Sequence, residues 1–156
     1  MSTWRKTAAL GTALSLLGLA EARADSVAAA EIPAISIVSP AASATVALGD
    51  DVGKTIVVKI AVTNFTIRPV GHCGDTPNCG HVHLKIDHPS DVCNAPKSAG
   101  NSTNADTGGN TIEAHFGFCP TPGGQHTIVV ALAKDDHSFV LVDGKPVSAL
   151  VTVTAK

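Results

Sequence analysis

Hydrophobic and polar residues alternate with a period of two along much of this chain, which is the pattern of half-buried β-strands. Within residues 54–63, every second position from 56 to 62 is Ile or Val, while Thr55 and Lys59 fall on the opposite face. Residues 81–87 and 111–118 alternate in the same way, and residues 127–133 are apolar throughout, as expected of a central strand. Further short strands are predicted at residues 35–38, 45–48, 139–142 and 147–154.

These runs are short and rich in β-branched residues, and outside the first 24 residues no segment shows a helical period. Seven or eight strands in about 120 residues predict an all-β fold, an immunoglobulin-like antiparallel β-sandwich. The sandwich is placed at residues 35–156, after an N-terminal arm at 25–34, and the polar stretch 89–110 is predicted to be a long loop.

The first 24 residues have the organisation of a secretory signal peptide. Arg5 and Lys6 precede an apolar run at 7–20, and Ala22-Arg23-Ala24 provides a small-x-small cleavage site. A run of about 14 residues is too short to span a bilayer comfortably, and no later run is longer. The sequence therefore predicts an exported protein that does not insert into the membrane after cleavage.

Composition restricts the chemistry of the remaining chain. Over the 156 residues, 44% are hydrophobic, 15% are charged and the net charge is −2, which argues against a disordered chain and against nucleic acid as a partner. The only Trp and the only Met lie in the leader, and there is no Tyr. A copper site with a thioether ligand is thus excluded after cleavage, and the unusual chemistry is confined to seven His and four Cys.

An even number of cysteines in an exported chain indicates disulfide bonds. Three pairings are possible. Cys73 and Cys79 bracket the short loop CGDTPNC, which favours a bond between them and leaves Cys93 to pair with Cys119. Closing that second loop, of about 25 residues, would stabilise the fold by about 3 kcal/mol. Metal thiolates are the less favoured reading, because no CxxC pair is present.

The histidines carry the candidate site. If Val82 and Leu84 face the core, His81 and His83 stand together on the other face, with attachment points about 6.6 Å apart, and can converge on one metal ion. His126 opens the next long strand and His137 closes the turn after it, so both are further candidate ligands.

Three or four imidazoles with a nearby carboxylate suit Cu(II) or Zn(II). His115, which shares its strand face with Glu113, completes the candidate metal set. His72 and His88 lie in loops and are predicted to have no function. The alternative is that all of these histidines are ordinary polar or hydrogen-bonding residues.

The blocks GHVHLKID, GGQHTIVVALAKDDHS and VTVTAK resemble an uncharacterised family of exported bacterial proteins. Members carry a Gly-His-His-His-Leu-Leu-Ile-Asp-like stretch, then a Pro-Gly-x-His-Thr-Leu strand and an Asp-x-x-His. The resemblance covers residues 35–154 and implies a periplasmic or extracellular location in bacteria. It points to His81, His83, His126 and His137, and this chain departs from it at Val82, where the family often has a third His.

The segment HVH also resembles the copper-binding strand of copper/zinc superoxide dismutases. This resemblance is local, because the zinc loop and the active-site Arg segment of that family have no match here. No phosphate-binding loop, GxSxG or HExxH is present, and no catalytic residue is assigned.

The preferred hypothesis is therefore an exported β-sandwich that binds copper or zinc through a surface histidine cluster, and a non-enzymatic role is preferred to an enzymatic one. The alternative is a non-catalytic envelope or adhesion domain, and a dismutase-like metalloenzyme is a weaker third reading. The sequence does not identify a protein partner.

Overall fold

The computed structural model describes residues 31–95, 98 and 100–156, and the predicted signal peptide at 1–24 lies outside them. Two β-sheets pack face to face, as an all-β, immunoglobulin-like sandwich requires, so the predicted fold class is confirmed. The strands are β1 (Ala34–Ser39), β2 (Thr45–Val46), β3 (Thr55–Thr63), β4 (Thr66–Ile67), β5 (Cys79–Ile86), β6 (Ser102–Thr103), β7 (Thr111–His115), β8 (Gly124–Ala133), β9 (Leu141–Val142), β10 (Lys145–Pro146) and β11 (Ser148–Ala155).

The smaller sheet has the order β1-β3-β7 and is antiparallel. The larger sheet has the order β2-β11-β8-β5-β4, with β6 added beside β5 and the long central pairs antiparallel. Strands β9 and β10 form a separate hairpin between β8 and β11. No helix in the described part of the chain is long and apolar enough to cross a membrane.

The period-two pattern decides which side chains enter the core. On β5, Val82, Leu84 and Ile86 are fully buried, and on β8 the alternate residues Ile128, Val130 and Leu132 are buried as well. The facing sheet contributes its own alternate positions, because successive side chains of a strand point to opposite faces. These are Val58, Ile60, Ile112 and Ala114.

The predicted strand at 111–118 is too long. It ends at His115, and Phe116–Phe118 form a short 3₁₀ helix that Cys119 closes by donating its backbone N–H to the Phe116 carbonyl. Phe116 is fully buried while Phe118 is exposed, so the two rings do not share a face. Alternation of Phe with Gly mimics a strand in the sequence, although the chain here turns away from the sheet.

The predicted loop at 89–110 is anchored by two buried asparagines. The Asn101 side chain donates to the carbonyls of Cys93 and His115, and its oxygen accepts the backbone N–H of His115. The Asn104 oxygen accepts the backbone N–H of Val82 at 2.6 Å. Since each amide satisfies buried backbone groups, this stretch is joined to the edge of β5 as β6 rather than lying free.

Both disulfides that the sequence favours are present, Cys73–Cys79 and Cys93–Cys119, and none of the four cysteines is free. The first closes a short loop at the start of β5, and the second joins the chain after β5 to the end of the 3₁₀ helix. Two such bonds suggest an oxidising environment, in which disulfides persist.

Candidate metal site

His81 and His83 stand side by side on the outer face of the larger sheet, opposite the buried row that begins with Val82. The H-x-H spacing leads to this placement, because residues two apart on a strand point the same way. Their Nε2 atoms lie 2.9 Å apart. The strand thus brings two ring nitrogens to one point.

A tight turn after β8 adds a third imidazole. Lys134 donates its backbone N–H to the Ser138 carbonyl, and the His137 N–H is donated to Lys134, so the chain folds back over the start of β5. The register of β5 and β8 sets this position, because His81 is paired with Ala133, the last residue before the turn. His137 itself has φ 63°, in the left-handed region where Asn, Asp and His are the commonest residues other than Gly.

The three ring nitrogens form a nearly equilateral triangle. His137 Nδ1 lies 3.1 Å from His81 Nε2 and 3.2 Å from His83 Nε2. Nitrogens bound to one ion at about 2.0–2.1 Å are about 2.9 Å apart at a right angle and about 3.3 Å apart in a tetrahedron. The observed separations fall in this interval, so the three nitrogens have the spacing of ligands to one metal ion, and these residues could hold one.

Burial favours the neutral form of His81 and His83. His81 is completely buried, and this burial, with repulsion from His83 and His137, lowers its pKa to about 4 despite the opposing charge of Asp135. Burial and His137 also lower the pKa of His83. The neutral imidazole is the form that binds metals, because one of its ring nitrogens has a free lone pair. The sequence predicted a surface cluster, but its first member is covered by the turn that carries His137.

Asp135 lies behind the cluster and was interpreted from the sequence only as a turn residue. Its Oδ2 accepts the backbone N–H of Cys73 at 3.3 Å, which ties the turn to the Cys73–Cys79 loop. Its Oδ1 is buried and, among the described residues, has no hydrogen-bond partner, and the same is true of His81 Nδ1. The outer nitrogen of a metal-bound histidine usually donates to a carboxylate or carbonyl. An acidic residue two positions before His137, in DDHS, is the sequence signal for this role.

His126 does not join the cluster. Strands β5 and β8 are neighbours, as considered from the sequence, but their register pairs Ile86 with Ile128 and therefore places His126 at the opposite end of the ladder from His81. The distance along the strand is about 24 Å. His126 points toward the core, packs against Phe116 and places its Nδ1 2.7 Å from Asp87 Oδ2.

His115 lies in the other sheet, on β7. Its Nδ1 is 3.0 Å from the Thr55 hydroxyl, and its Nε2 is 3.8 Å from Glu113. The sandwich core separates this ring from His81, so the structure gives it different partners. His72 and His88 are exposed and also lie outside the three-histidine cluster.

A second group of potential ligands surrounds His126 and comprises Asp87, Cys93 and Cys119. Its two sulfurs are bonded to each other and are therefore not thiolates. Asp87 also accepts the backbone N–H of Thr127 at 2.9 Å, which fastens the end of β5 to β8. The disulfide and the contacts of Asp87 with β8 therefore give this group a structural role, which is to hold neighbouring segments together.

Comparison with known proteins finds only distant structural similarity. No protein-family model matches the chain, and no curated protein matches it. Among solved structures, an endo-β-1,4-mannanase from Thermotoga petrophila aligns with a TM-score of 0.42 and 10% identity over 81% of this chain and 20% of the mannanase chain. The fibronectin(III)-like modules of Clostridium thermocellum CbhA align with a TM-score of 0.40 and 12% identity over 78% of this chain and 95% of theirs.

Neither likeness is close enough to carry functional information. The fold and the site define this chain as an immunoglobulin-like β-sandwich protein with a three-histidine cluster that can hold a metal ion.

Proposed function

We propose that this is an exported protein that binds one Cu(II) or Zn(II) ion through His81 Nε2, His83 Nε2 and His137 Nδ1. The observation that carries the proposal is the convergence of three nitrogens at separations of 2.9–3.2 Å. A neutral imidazole can place its own N–H between two of these nitrogens. Among three nitrogens, however, at least two must be of the same kind, both N–H or both lone pair, and that pair repels. A single metal ion between them would accept a lone pair from all three.

The choice of ion follows from the ligands. Three imidazoles suit Cu(II) and Zn(II), whereas Ca²⁺ takes oxygen ligands and selection of Cu(I) usually depends on thiolate or thioether ligands. Three protein ligands leave a four-coordinate ion with one open position. Asp135 would support the ion from outside if its Oδ1, which has no hydrogen-bond partner in the described residues, accepted a hydrogen bond from His81 Nδ1–H and so fixed the ring with Nε2 toward the metal.

Export is supported by the leader at residues 1–24 and by the two disulfides. The resemblance to exported bacterial proteins extends this proposal to the periplasm or the extracellular medium. In those compartments no cytosolic metal buffer competes with the site. A protein of this kind would hold or buffer the ion.

The proposal is tested by titrating the chelator-treated protein, with its disulfides intact, with Cu(II) and with Zn(II) in a calorimeter. Wild type should bind one ion, and a His81→Ala/His83→Ala variant should lose this binding. A His72→Ala/His115→Ala variant is the matched control, because it removes two imidazoles outside the cluster. Equal binding by wild type and the cluster variant would refute the proposal, provided that circular dichroism shows both to be folded.

A further inference from the structure

A groove of about 560 Å³ runs along the outer face of the larger sheet and ends at the histidine cluster. Val129 and Ala131 of β8 form the floor of the groove. In the strand register, Ala131 is paired with His83 and Val129 with Lys85. Paired side chains on one face of a sheet are about 5 Å apart, so the apolar floor lies directly beside the imidazoles. Its volume is within the range of about 300–1,000 Å³ that is usual for small-molecule sites.

The walls of the groove are also apolar. The Phe139 ring is 42% exposed and meets the His83 ring edge to face, with centroids 6.1 Å apart. Pro146, from the β9–β10 hairpin, lines the groove as well, and Leu150, paired with Val129, is 58% exposed beside it. An outer sheet face normally carries polar side chains toward water, so this apolar patch indicates a site for an apolar group.

Polar side chains line the rest of the groove. His83 and His137 line it and are two of the three proposed ligands, whereas the third, His81, is buried beneath them. A further ligand of a metal ion held by these three residues would reach it most readily from the groove, because His81 is buried and the other two border the groove. Lys85 contributes an ammonium group, which is paired with Asp91 at 2.9 Å, and the exposed His88 lies at the same groove.

From this arrangement we infer that the groove binds a small organic carboxylate with an apolar body, whose carboxylate oxygen fills the open position of the metal ion. The inference rests on the proposed metal binding. The charge of the ion selects an anionic head group, and the floor of Val129 and Ala131 with the Phe139 wall selects an aryl or branched alkyl body. A ligand that lacks the carboxylate, or one that lacks the apolar body, makes only one of these two sets of contacts.

Benzoate is the probe. Cu(II)-loaded protein is titrated with benzoate, with acetate, which has the head without the body, and with benzyl alcohol, which has the body without the carboxylate. Binding is measured by calorimetry and by the Cu(II) electron paramagnetic resonance spectrum. Benzoate should change the spectrum and bind about tenfold or more tightly than acetate, because only benzoate buries an apolar ring. Benzyl alcohol should leave the spectrum unchanged.

Two variants locate the site. Ala131→Leu fills the floor and should weaken benzoate binding about tenfold or more while Cu(II) affinity stays within about twofold. Ala61→Leu makes the same change at an exposed position of β3 in the other sheet and should have no effect. If Ala131→Leu also disturbs the copper site, Phe139→Ala, which removes the wall, takes its place and should weaken benzoate binding without loss of copper.

The outcomes separate the two proposals. If Cu(II) and Zn(II) both fail to bind, the proposed function is wrong. If copper binds but benzoate neither changes the spectrum nor binds more tightly than acetate, the groove inference is overturned and the metal site stands. Equal benzoate binding with and without copper would also overturn it, because the carboxylate would then not be a metal ligand.

Discussion

The stability of the metal-free protein should fall on mild acidification because His81 is buried in its neutral form. Its pKa is lowered from 6.5 to about 4 in the folded protein, whereas the unfolded chain titrates near the ordinary value. Between these two values the unfolded state binds more protons, so the free energy of unfolding rises with pH and falls as the solution is acidified. The contribution is fully present above pH 6.5 and is lost as the pH falls toward 4.

A shift of this size corresponds to about 3 kcal/mol in all, of which about 2 kcal/mol is lost between about pH 7 and pH 4.5. His83, whose pKa is also lowered, contributes in the same direction. The carboxyl groups with lowered pKa values, Asp51, Asp91 and Asp136, start from 3.8 and therefore act at lower pH. The window from about pH 6.5 to pH 4.5 thus isolates the histidines.

The assay is urea unfolding followed by far-ultraviolet circular dichroism in the presence of a chelator, because residues 25–156 contain no Trp or Tyr for fluorescence. His81→Leu removes the titrating group and should flatten the pH dependence by about 2 kcal/mol, whatever its effect on stability at pH 7. His72→Leu, at an exposed loop position, should leave the pH dependence unchanged. Identical pH dependence in wild type and His81→Leu would refute the reasoning, as would a His81 titration near 6.5 by nuclear magnetic resonance.

Three further predictions concern the site and the core. Asp135→Asn should weaken Cu(II) or Zn(II) binding about 10- to 100-fold in a competition titration, while Asp143→Asn, on an exposed turn, should not; equal affinities would exclude a role for Asp135 in supporting His81. Cys93→Ser/Cys119→Ser should lower the free energy of unfolding in urea by about 3 kcal/mol, and a loss below about 1 kcal/mol would contradict this. Phe116→Ala should cost about 3–5 kcal/mol in the same assay, because this ring is fully buried, and a smaller loss would show that the core closes over the cavity.

Much of the fold was predictable because strand periodicity is a local property. Each of the long strands β3, β5, β8 and β11 occurs where its alternating or apolar run predicts it, within a few residues. The pattern wrongly predicted a strand at Phe116–Phe118, because hydrophobic residues two apart also fit the 3₁₀ turn found there. It also predicted a loop around Asn101 without indicating that this polar residue is buried. Both departures depend on partners distant in the chain, which a local pattern does not specify.

By itself, the sequence determined that the fold is an all-β sandwich and that His81 and His83 share one side of a strand, because the side-chain period of a strand is two. It also restricted any metal ligands to nitrogen and oxygen once the cysteines are paired. Only the tertiary structure decided that the third imidazole comes from His137 rather than from His126. The reason is the strand register. The antiparallel ladder pairs His81 with Ala133, so the turn that follows β8 contacts the His81/His83 pair, whereas the start of β8, which carries His126, lies at the other end of the ladder.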